Sequence, residues 1–217
     1  MTVPGAARVQ RRGRPRNAEA VEKRQAILTA ATTLFLTSGY RDVSMREVAK
    51  AADVSTRTLY NLYVDKASLF GACLSALSSD SAEPVLVEEL SVERTLEHFA
   101  TNMVRQLSRP DSLGFARLVM NDGKDFPELA EAGYASQEER FVQPLAAYLQ
   151  RAGFAQDLVQ PLATLFIAMA ISEWNRAVTF HLRLPDQTEI AGHARRAAAI
   201  FIHGVAINSK VAPPAAV

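Results

Sequence analysis

Two side chains that can read DNA bases stand four residues apart in a short polar segment, Arg57 and Asn61. They would project from the same face of a helix, because a helical turn takes about 3.6 residues. A guanidinium can bind O6 and N7 of guanine together, and a carboxamide can bind N6 and N7 of adenine in the same way. The pair therefore predicts a helix that enters the major groove of DNA.

The rest of that helix would anchor it and contact the DNA backbone. On a helical wheel Leu59, Leu62 and Tyr63 form the opposite side, so we expect these side chains to pack in the core. Hydroxyl groups on the flanks can donate hydrogen bonds to phosphate oxygens. The flanking hydroxyl residues are Thr56, Thr58 and Tyr60.

Two more residues stand at predicted helix N-termini, where backbone amides favour an anion. Ser44 opens a short helix through a capping box with Glu47, and Lys66 opens another helix after Asp65. We expect Ser44 and Lys66 to contact phosphate groups.

The N-terminal part of the chain is basic. Residues 1–66 hold 12 Lys and Arg against 6 Asp and Glu, whereas the remaining residues hold 12 against 17. Arg12-Gly13-Arg14-Pro15 has the compact form in which arginines enter a narrow minor groove. Residues 1–20 are therefore predicted to be a flexible basic arm that places Arg12 and Arg14 on DNA. A solvated basic tail is the alternative.

Short helices must position these residues. Apolar residues at helical spacing predict a first helix from Val21 to Ser38 that Gly39 ends, and Ser55 caps a helix from Thr56 to Tyr63. Three short helices with a tight turn between the second and third are typical of a helix-turn-helix. The predicted organisation is a basic arm at 1–20, a helix-turn-helix domain at 21–66, a larger helical domain at 67–208 and a disordered tail at 209–217.

The larger domain is also predicted to be helical, because no segment alternates apolar and polar residues as a strand does. The fold class is therefore all-α. Helices are expected at Val92–Ser108, Leu113–Asp122, Pro127–Arg151, Leu158–Phe180 and Asp186–Ile207.

Composition and motifs exclude several other classes of protein. Of the 217 residues 48% are hydrophobic, which excludes a wholly disordered chain, and the single cysteine excludes a disulfide scaffold. The longest apolar stretch, Leu162–Ile171, is too short to span a bilayer, so we expect a cytoplasmic protein without a membrane partner. The four histidines form no metal-binding motif and no nucleotide-binding glycine loop or GxSxG occurs, so no metal, cofactor or enzymatic activity is predicted. Cys73 is interpreted as packing, with a redox-sensing thiol as the alternative.

One run of residues, from about 21 to 72, carries a family signature. Its members are Gly39-Tyr40, Ser44, Val48-Ala49, Ala52, Val54-Ser55, Thr58-Leu59-Tyr60, Tyr63, Lys66 and Leu69-Phe70. This combination resembles the N-terminus of the TetR/AcrR transcriptional regulators. The resemblance implies a homodimeric, ligand-responsive DNA-binding protein, usually a repressor, whose DNA contacts are Ser44, Thr58, Tyr60, Tyr63 and Lys66. The family often has glycine at the position of Asp53 and a small residue at that of Arg57, so the role of Arg57 comes from the helical wheel alone.

Two later motifs are Arg117-Leu118-Val119 and Phe126-Pro127-Glu128-Leu129-Ala130. They resemble the effector domain of an AefR-like branch of the same family. In that branch a glutamate and an alanine are common where this chain has Asp122 and Gly123. The glycine is expected to end its helix early and to change the local pocket shape.

The last two predicted helices are apolar on more than one side, which favours a partner for the uncovered side. A second copy of the chain would supply it, as the resemblance implies, and a two-fold dimer demands a palindromic operator. An unusually large monomeric core is the alternative. The expected interface residues are Leu165, Ala194, Ala197, Ala198, Phe201 and Val205.

A pocket for a small apolar or amphipathic effector is expected between the middle helices. Its expected lining is Phe99, Met103, Phe115, Leu118, Phe166, Met169 and Trp174. Asn102, Asn121 or Glu173 would be polar anchors, and ordinary core packing is the alternative for each residue. The predicted function is a repressor that an effector releases from DNA. A constitutive DNA-binding protein or activator without an effector is the alternative, and a helical enzyme is a more distant one.

Overall fold

The structure, a computed structural model, describes residues 16–79, 86 and 90–207. All regular elements in those segments are helical, which confirms the all-α prediction. The helices are α1 (Arg16–Asp42), α2 (Met45–Ala51), α3 (Thr56–Leu62), α4 (Lys66–Ser79), α5 (Val92–Leu107), α6 (Pro110–Asp122), α7 (Pro127–Gln137), a π-helical turn (Glu138–Val142), α8 (Gln143–Arg151), α9 (Val159–Thr179) and α10 (Gln187–Ile207).

The first helix differs from its predicted bounds. It begins at Arg16, so the last five residues of the predicted arm, 16–20, are helical. Gly39 interrupts it with φ 79° and ψ 166°, a left-handed backbone that glycine adopts without steric penalty, so the expected stop lies where it was predicted. Arg12 and Arg14 lie outside the described residues, as does the predicted tail at 209–217.

Helices α1 to α4 share one hydrophobic core with parts of α6 and α7. Phe35 of α1 and Phe70 of α4 contact each other edge to face, and Phe115 of α6 packs against both rings. Leu129 of α7 is fully buried in the same cluster. At Gly114 the backbone of α6 approaches α1 so closely that a β-carbon would lie 2.5 Å from Leu36 Cδ2. The helix-turn-helix unit is therefore packed tightly onto the larger helical part.

The second core lies among α5, α8, α9 and α10, and part of the predicted dimer interface is buried in it. Its members include five of the six expected interface residues, namely Ala194, Ala197, Ala198, Phe201 and Val205. Each of these side chains is at most 7% exposed, because α10 packs against α5 and α9 of its own chain. The small alanines do permit close helix packing, but the neighbouring helices belong to the same protomer. These five residues are not available to a second copy.

A different face of α9 and α10 remains uncovered. Leu165, the sixth expected interface residue, is 53% exposed on α9, and Ile200 on α10 is 62% exposed. Ser172 Oγ lies 3.1 Å from His193 Nε2, so the two helices are neighbours along this surface. No helix in the described part of the chain is long and apolar enough to cross a membrane.

Candidate nucleic-acid interface and internal cavity

The second helix is fixed at its start by the capping box that the sequence predicts. The Ser44 backbone N–H donates to Glu47 Oε2 at 2.9 Å, and the Glu47 N–H donates to Ser44 Oγ at 3.3 Å. The Ser44 hydroxyl also donates to Glu47 Oε2, at 2.8 Å. This bond and, secondarily, that from the Ser44 N–H lower the pKa of Glu47, because both favour the carboxylate. Ser44 is exposed, so its hydroxyl lies on the surface at the start of α2, where a phosphate would be favoured.

A tight turn then directs α3 away from α2. Asp53 has φ 53°, a left-handed conformation that aspartate tolerates better than most residues, and the Val54 N–H donates to Ala49 O at 2.9 Å. Ser55 caps the next helix by accepting the Thr58 N–H at 3.0 Å. The turn is therefore closed without the glycine that is common at the position of Asp53 in the resembled family.

Helix α3 turns one polar face outward. Arg57 and Asn61 are both exposed, as the helical wheel predicts, and Tyr60 is 52% exposed beside them. Thr56 is also exposed at the first position of the helix. Four side chains that donate or accept hydrogen bonds therefore share the surface of one short helix.

The opposite face is narrower than predicted. Leu59 is fully buried and Tyr63 is 4% exposed, but Leu62 is 44% exposed. Leu62 is the last residue of α3, and the two residues that contact the core are spaced by one turn, at 59 and 63. The expectation that Leu62 packs in the core is therefore wrong.

Three other residues that were predicted to contact DNA make hydrogen bonds within the chain. Thr58 Oγ1 lies 2.8 Å from Ser55 Oγ, and the hydroxyl of the buried Tyr63 accepts a hydrogen bond from Arg24 Nε at 3.3 Å. Lys66 Nζ donates to Tyr40 O at 2.7 Å and lies 4.2 Å from the centre of the Tyr40 ring. Burial lowers the pKa of Lys66. The ammonium thus holds α4 against the carbonyl groups at the end of α1, which differs from the predicted phosphate contact.

A cavity of about 440 Å³ lies between the two cores, within the usual size range of small-molecule sites. Its walls come from α4, α5, α6, α7, the π-helical turn and α9. Met103, Phe115 and Trp174 line it, as the sequence predicts. The lining does not include the other four predicted residues, Phe99, Leu118, Phe166 and Met169.

Those four residues have other surroundings. Phe99 and Phe166 are fully buried in the second core, and Met169 packs against it. Leu118 packs against the first core. The three expected polar anchors, Asn102, Asn121 and Glu173, are also absent from the lining. Helical periodicity separates buried from exposed residues, but it does not distinguish a core side chain from one that faces a void.

The polar residues that do line the cavity were missed by sequence reasoning. They are Ser112, Tyr134, Ser136, Gln137, Arg140 and Asn175. Arg140 is half-buried in the π-helical turn, where its Nη2 donates to Gln106 Oε1 at 3.3 Å. A charged residue followed directly by the apolar pair Phe141-Val142 was the available signal, but the π turn that orients it leaves no mark in the sequence.

The indole of Trp174 is the second polar feature of the cavity. Among the described residues, Trp174 Nε1 is the one buried side-chain nitrogen or oxygen without a hydrogen-bond partner. Leaving such a donor unsatisfied costs roughly 1–3 kcal/mol. Trp174 is one of the residues that line a cavity large enough to hold a ligand.

Helix α7 contacts both the cavity and the helix-turn-helix unit. Gly133 and Gln137 line the cavity, whereas Glu128, in the first turn of the helix, accepts a hydrogen bond at its Oε1 from Tyr40 Oη at 3.1 Å. Burial, and secondarily the Glu128 carboxylate, raise the pKa of Tyr40. Just before α7, Asp125 forms a 3.0 Å ion pair with Arg41. A displacement of α7 would therefore reach the end of α1 directly.

Two family models match the sequence. The model of bacterial regulatory proteins of the tetR family matches residues 27–73, and that of the AefR-like transcriptional repressor C-terminal domain matches residues 94–204, about half of the chain. The chain belongs to the TetR family. It is a transcriptional regulator with a DNA-binding helix-turn-helix, and not an enzyme.

Individual TetR-family proteins agree with this assignment. The HTH-type transcriptional regulator SrpR of Pseudomonas putida is 27% identical over 135 residues, which are 62% of this chain and 63% of SrpR. The alignment thus spans less than two thirds of that relative. A putative TetR-family regulator from Mesorhizobium loti MAFF303099 superimposes with a TM-score of 0.68 at 26% identity, over 85% of this chain and 97% of its own. The flavonoid-responsive regulator FrrA gives a TM-score of 0.68 at 25% identity, over 90% and 100%.

The thiol in this TetR-family chain is part of the first core. Cys73 is fully buried, and its Sγ donates to Leu28 O at 3.9 Å. Burial raises the pKa of the Cys73 thiol to about 11, so the reactive thiolate is scarce at neutral pH. This agrees with the packing interpretation and removes the basis for a redox-sensing role.

Proposed function

We propose that this TetR-family regulator is a cytoplasmic repressor that binds a palindromic operator as a homodimer and leaves it when a small apolar or amphipathic molecule occupies the cavity. The observation that carries the proposal is the position of α7, which lines the cavity at one end and hydrogen-bonds to α1 through Glu128 and Tyr40 at the other. A ligand that moves α7 would change the position of α1, and with it the helix-turn-helix.

The DNA-binding step rests on the outward face of α3. Arg57 and Asn61 have the side chains best suited to guanine and adenine edges, and Tyr60 and Thr56 flank them. Ser44 at the start of α2 is also exposed and would contact a phosphate group. Arg12 and Arg14 would add minor-groove contacts from the basic N-terminal segment.

Homodimerisation is supported by the uncovered side of α9 and α10. Leu165 and Ile200 are large apolar side chains on adjacent helices, and both are more than half exposed in the single chain. Burying them against a second copy would remove apolar area from water. In a two-fold dimer the α3 helices would lie about 34–36 Å apart, one turn of DNA.

The dimer surface is tested by Ile200→Asp. We expect this variant to dissociate to monomers, because the dimer would bury an unpaired carboxylate. Sedimentation velocity would measure the change, with Val21→Asp as the control, since Val21 is 63% exposed on α1 far from that surface in sequence. If Ile200→Asp remains dimeric, the interface lies elsewhere.

The effector step draws support from the relatives as well as the cavity. One matching family model is described as an AefR-like repressor domain, and the similar protein FrrA is named as flavonoid-responsive. The cavity of this chain has mostly apolar walls, with aromatic rings from Phe115, Phe141 and Trp174. Such walls favour an aromatic or aliphatic ligand body.

Selection of bound sites from a random DNA library at near-physiological salt tests the DNA part of the proposal. We expect one palindrome with half-sites a helical turn apart. A single asymmetric site, or binding without sequence preference, would contradict the dimeric operator.

The recovered palindrome then serves as the probe for compounds that change its affinity. A cavity-filling variant, Ala116→Phe, should keep DNA binding and lose the response, whereas Ala135→Phe on the exposed side of α7 should retain it. A compound that tightens DNA binding would favour an activator over a repressor. A response that survives in Ala116→Phe would place the effector outside this cavity.

A further inference from the structure

Arg140 is the charged residue of the cavity wall. Among the described residues that line the cavity there is no Asp, Glu, Lys or His, so the lining carries a formal charge of +1 from this side chain. Its hydrogen-bond acceptor, Gln106 Oε1, is a neutral amide oxygen, and its guanidinium lies 5.1 Å from the centre of the Phe141 ring. Within the described residues no carboxylate forms an ion pair with Arg140. A half-buried guanidinium without an ion-pair partner among the described residues favours an anion.

Trp174 is a second residue of the cavity wall with a polar group. Its ring is 4% exposed, and its Nε1–H has no acceptor within the described part of the protein. An indole can only donate, so the group that satisfies it must offer a lone pair. The other polar residues of the wall are neutral and add no negative charge, namely Ser112, Tyr134, Ser136, Gln137 and Asn175.

We propose that the effector of this cavity carries a carboxylate on an apolar body, with Arg140 as the counter-charge. This inference rests on the proposed function, in which the cavity holds the effector. A planar carboxylate matches the paired donors of a guanidinium. A cationic ligand would be repelled by Arg140, because no acidic residue of the described cavity wall offsets that charge.

Two pairs of probes separate charge from shape. Phenylbutanoate and decanoate are each compared with the primary amide of the same skeleton, which keeps the apolar body and removes the charge. The full-length protein is titrated and followed by tryptophan fluorescence, because Trp174 is the single tryptophan of the sequence and lies in the cavity wall. Calorimetry provides a second measure of affinity.

We expect at least one acid to bind about tenfold more tightly than its amide, as for a charge-assisted hydrogen bond compared with a neutral one. Arg140→Gln should abolish that preference, and Arg140→Lys should keep part of it because the positive charge remains. Thermal unfolding of both variants shows whether each is folded. If Arg140→Gln does not fold, the comparison of acid with amide in the wild type and in Arg140→Lys still tests the inference.

Equal binding of acid and amide, a preference that survives in Arg140→Gln, or binding of neither acid would overturn the inference. Release of the selected palindrome is measured with the same compounds. An amide that binds and releases DNA would leave the proposed function standing and refute the carboxylate. An acid that binds through Arg140 but leaves DNA affinity unchanged would support the carboxylate and refute the proposed function.

Discussion

The exposed polar side of α3 and the cavity between the two cores are built in opposite ways. The α3 surface comes from one short stretch, residues 56–61, and its polar groups are largely exposed. The cavity takes its walls from five helices and a π-helical turn, from Leu74 to Asn175, and two of its residues with hydrogen-bonding side chains, Ser112 and Trp174, are buried. A surface of the first kind is defined by local sequence, whereas a void of the second kind depends on how distant helices pack.

The two regions also differ in what a single polar group contributes. On α3 water already satisfies Arg57 and Asn61, so binding DNA exchanges one set of hydrogen bonds for another. In the cavity the Trp174 indole has no partner to exchange. Substitutions on α3 should therefore change recognition and leave stability unaffected, while substitutions in the cavity should change both.

The largest effect is expected for Arg57→Ala. Loss of a bidentate contact to a base should weaken binding to the selected palindrome by roughly 1–3 kcal/mol and relax base preference at one position in each half-site. Gel-shift titration against the palindrome and its point variants measures both. Arg117→Ala, an exposed arginine on α6, is the matched control. If Arg57→Ala keeps full sequence preference, the assignment of base reading to this face of α3 fails.

Trp174→Phe should increase the stability of the ligand-free protein. It keeps most of the aromatic packing and removes the unsatisfied N–H, so we expect the ligand-free protein to gain about 1 kcal/mol in free energy of unfolding. Denaturant unfolding followed by circular dichroism measures the change. Trp174→Ala, which removes the ring as well, should lose stability instead. A loss in both variants would show that the indole donor is satisfied in solution.

Tyr40→Phe tests whether the two regions are coupled through α7. It removes the hydroxyl that donates to Glu128 Oε1 and keeps the stacked ring, which packs against Phe35 and Phe70. We expect the ligand-induced change in DNA affinity to shrink by about 0.5–1 kcal/mol. Tyr148→Phe, on α8, should leave that change intact. An undiminished response in Tyr40→Phe would mean that the signal reaches α1 by another route, for instance across the close contact of Gly114 with Leu36.

The smallest effect at neutral pH concerns the Cys73 thiol. Burial raises its pKa from 9.0 to about 11, so the folded state holds the proton longer than the unfolded state does. The resulting stabilisation is complete below about pH 9 and is lost as the pH rises towards 11. The difference in unfolding free energy between wild type and Cys73→Ala should thus be constant near neutrality and decline only in that alkaline window. A difference that stays constant through that window would show that the thiol is exposed to solvent, because its pKa would then be the same in the folded and unfolded states.

Local signals predicted the helix-turn-helix to within a few residues. The Ser44 and Ser55 caps, the stop at Gly39 and the exposure of Arg57 and Asn61 all depend on neighbours within one or two turns. Errors arose where a distant helix decides the environment. Lys66 binds a carbonyl of α1, and Ala198 lies against helices of its own chain rather than a partner's.

The cavity shows the same limit more strongly. Phe99 and Phe115 are both fully buried aromatics on amphipathic helices, yet only Phe115 lines the void. No property of either residue's own segment distinguishes them, because the void is defined by gaps between α4, α6, α7 and α9. Arg140 was overlooked for a related reason, since Pro127–Arg151 was predicted as one helix, with a possible kink only at Pro144.

The π-helical turn at Glu138–Val142 gives this protein a way to evolve new ligand preferences. A π turn holds one residue more than an α-helical turn, so a deletion within it would restore regular phase and rotate α8 relative to α7 by about 100°. Such a change would move Arg140 and its neighbours to new positions in the cavity wall. Paralogues could diverge in this way by gaining or losing a single codon, while the DNA-reading residues of α3 stay as they are.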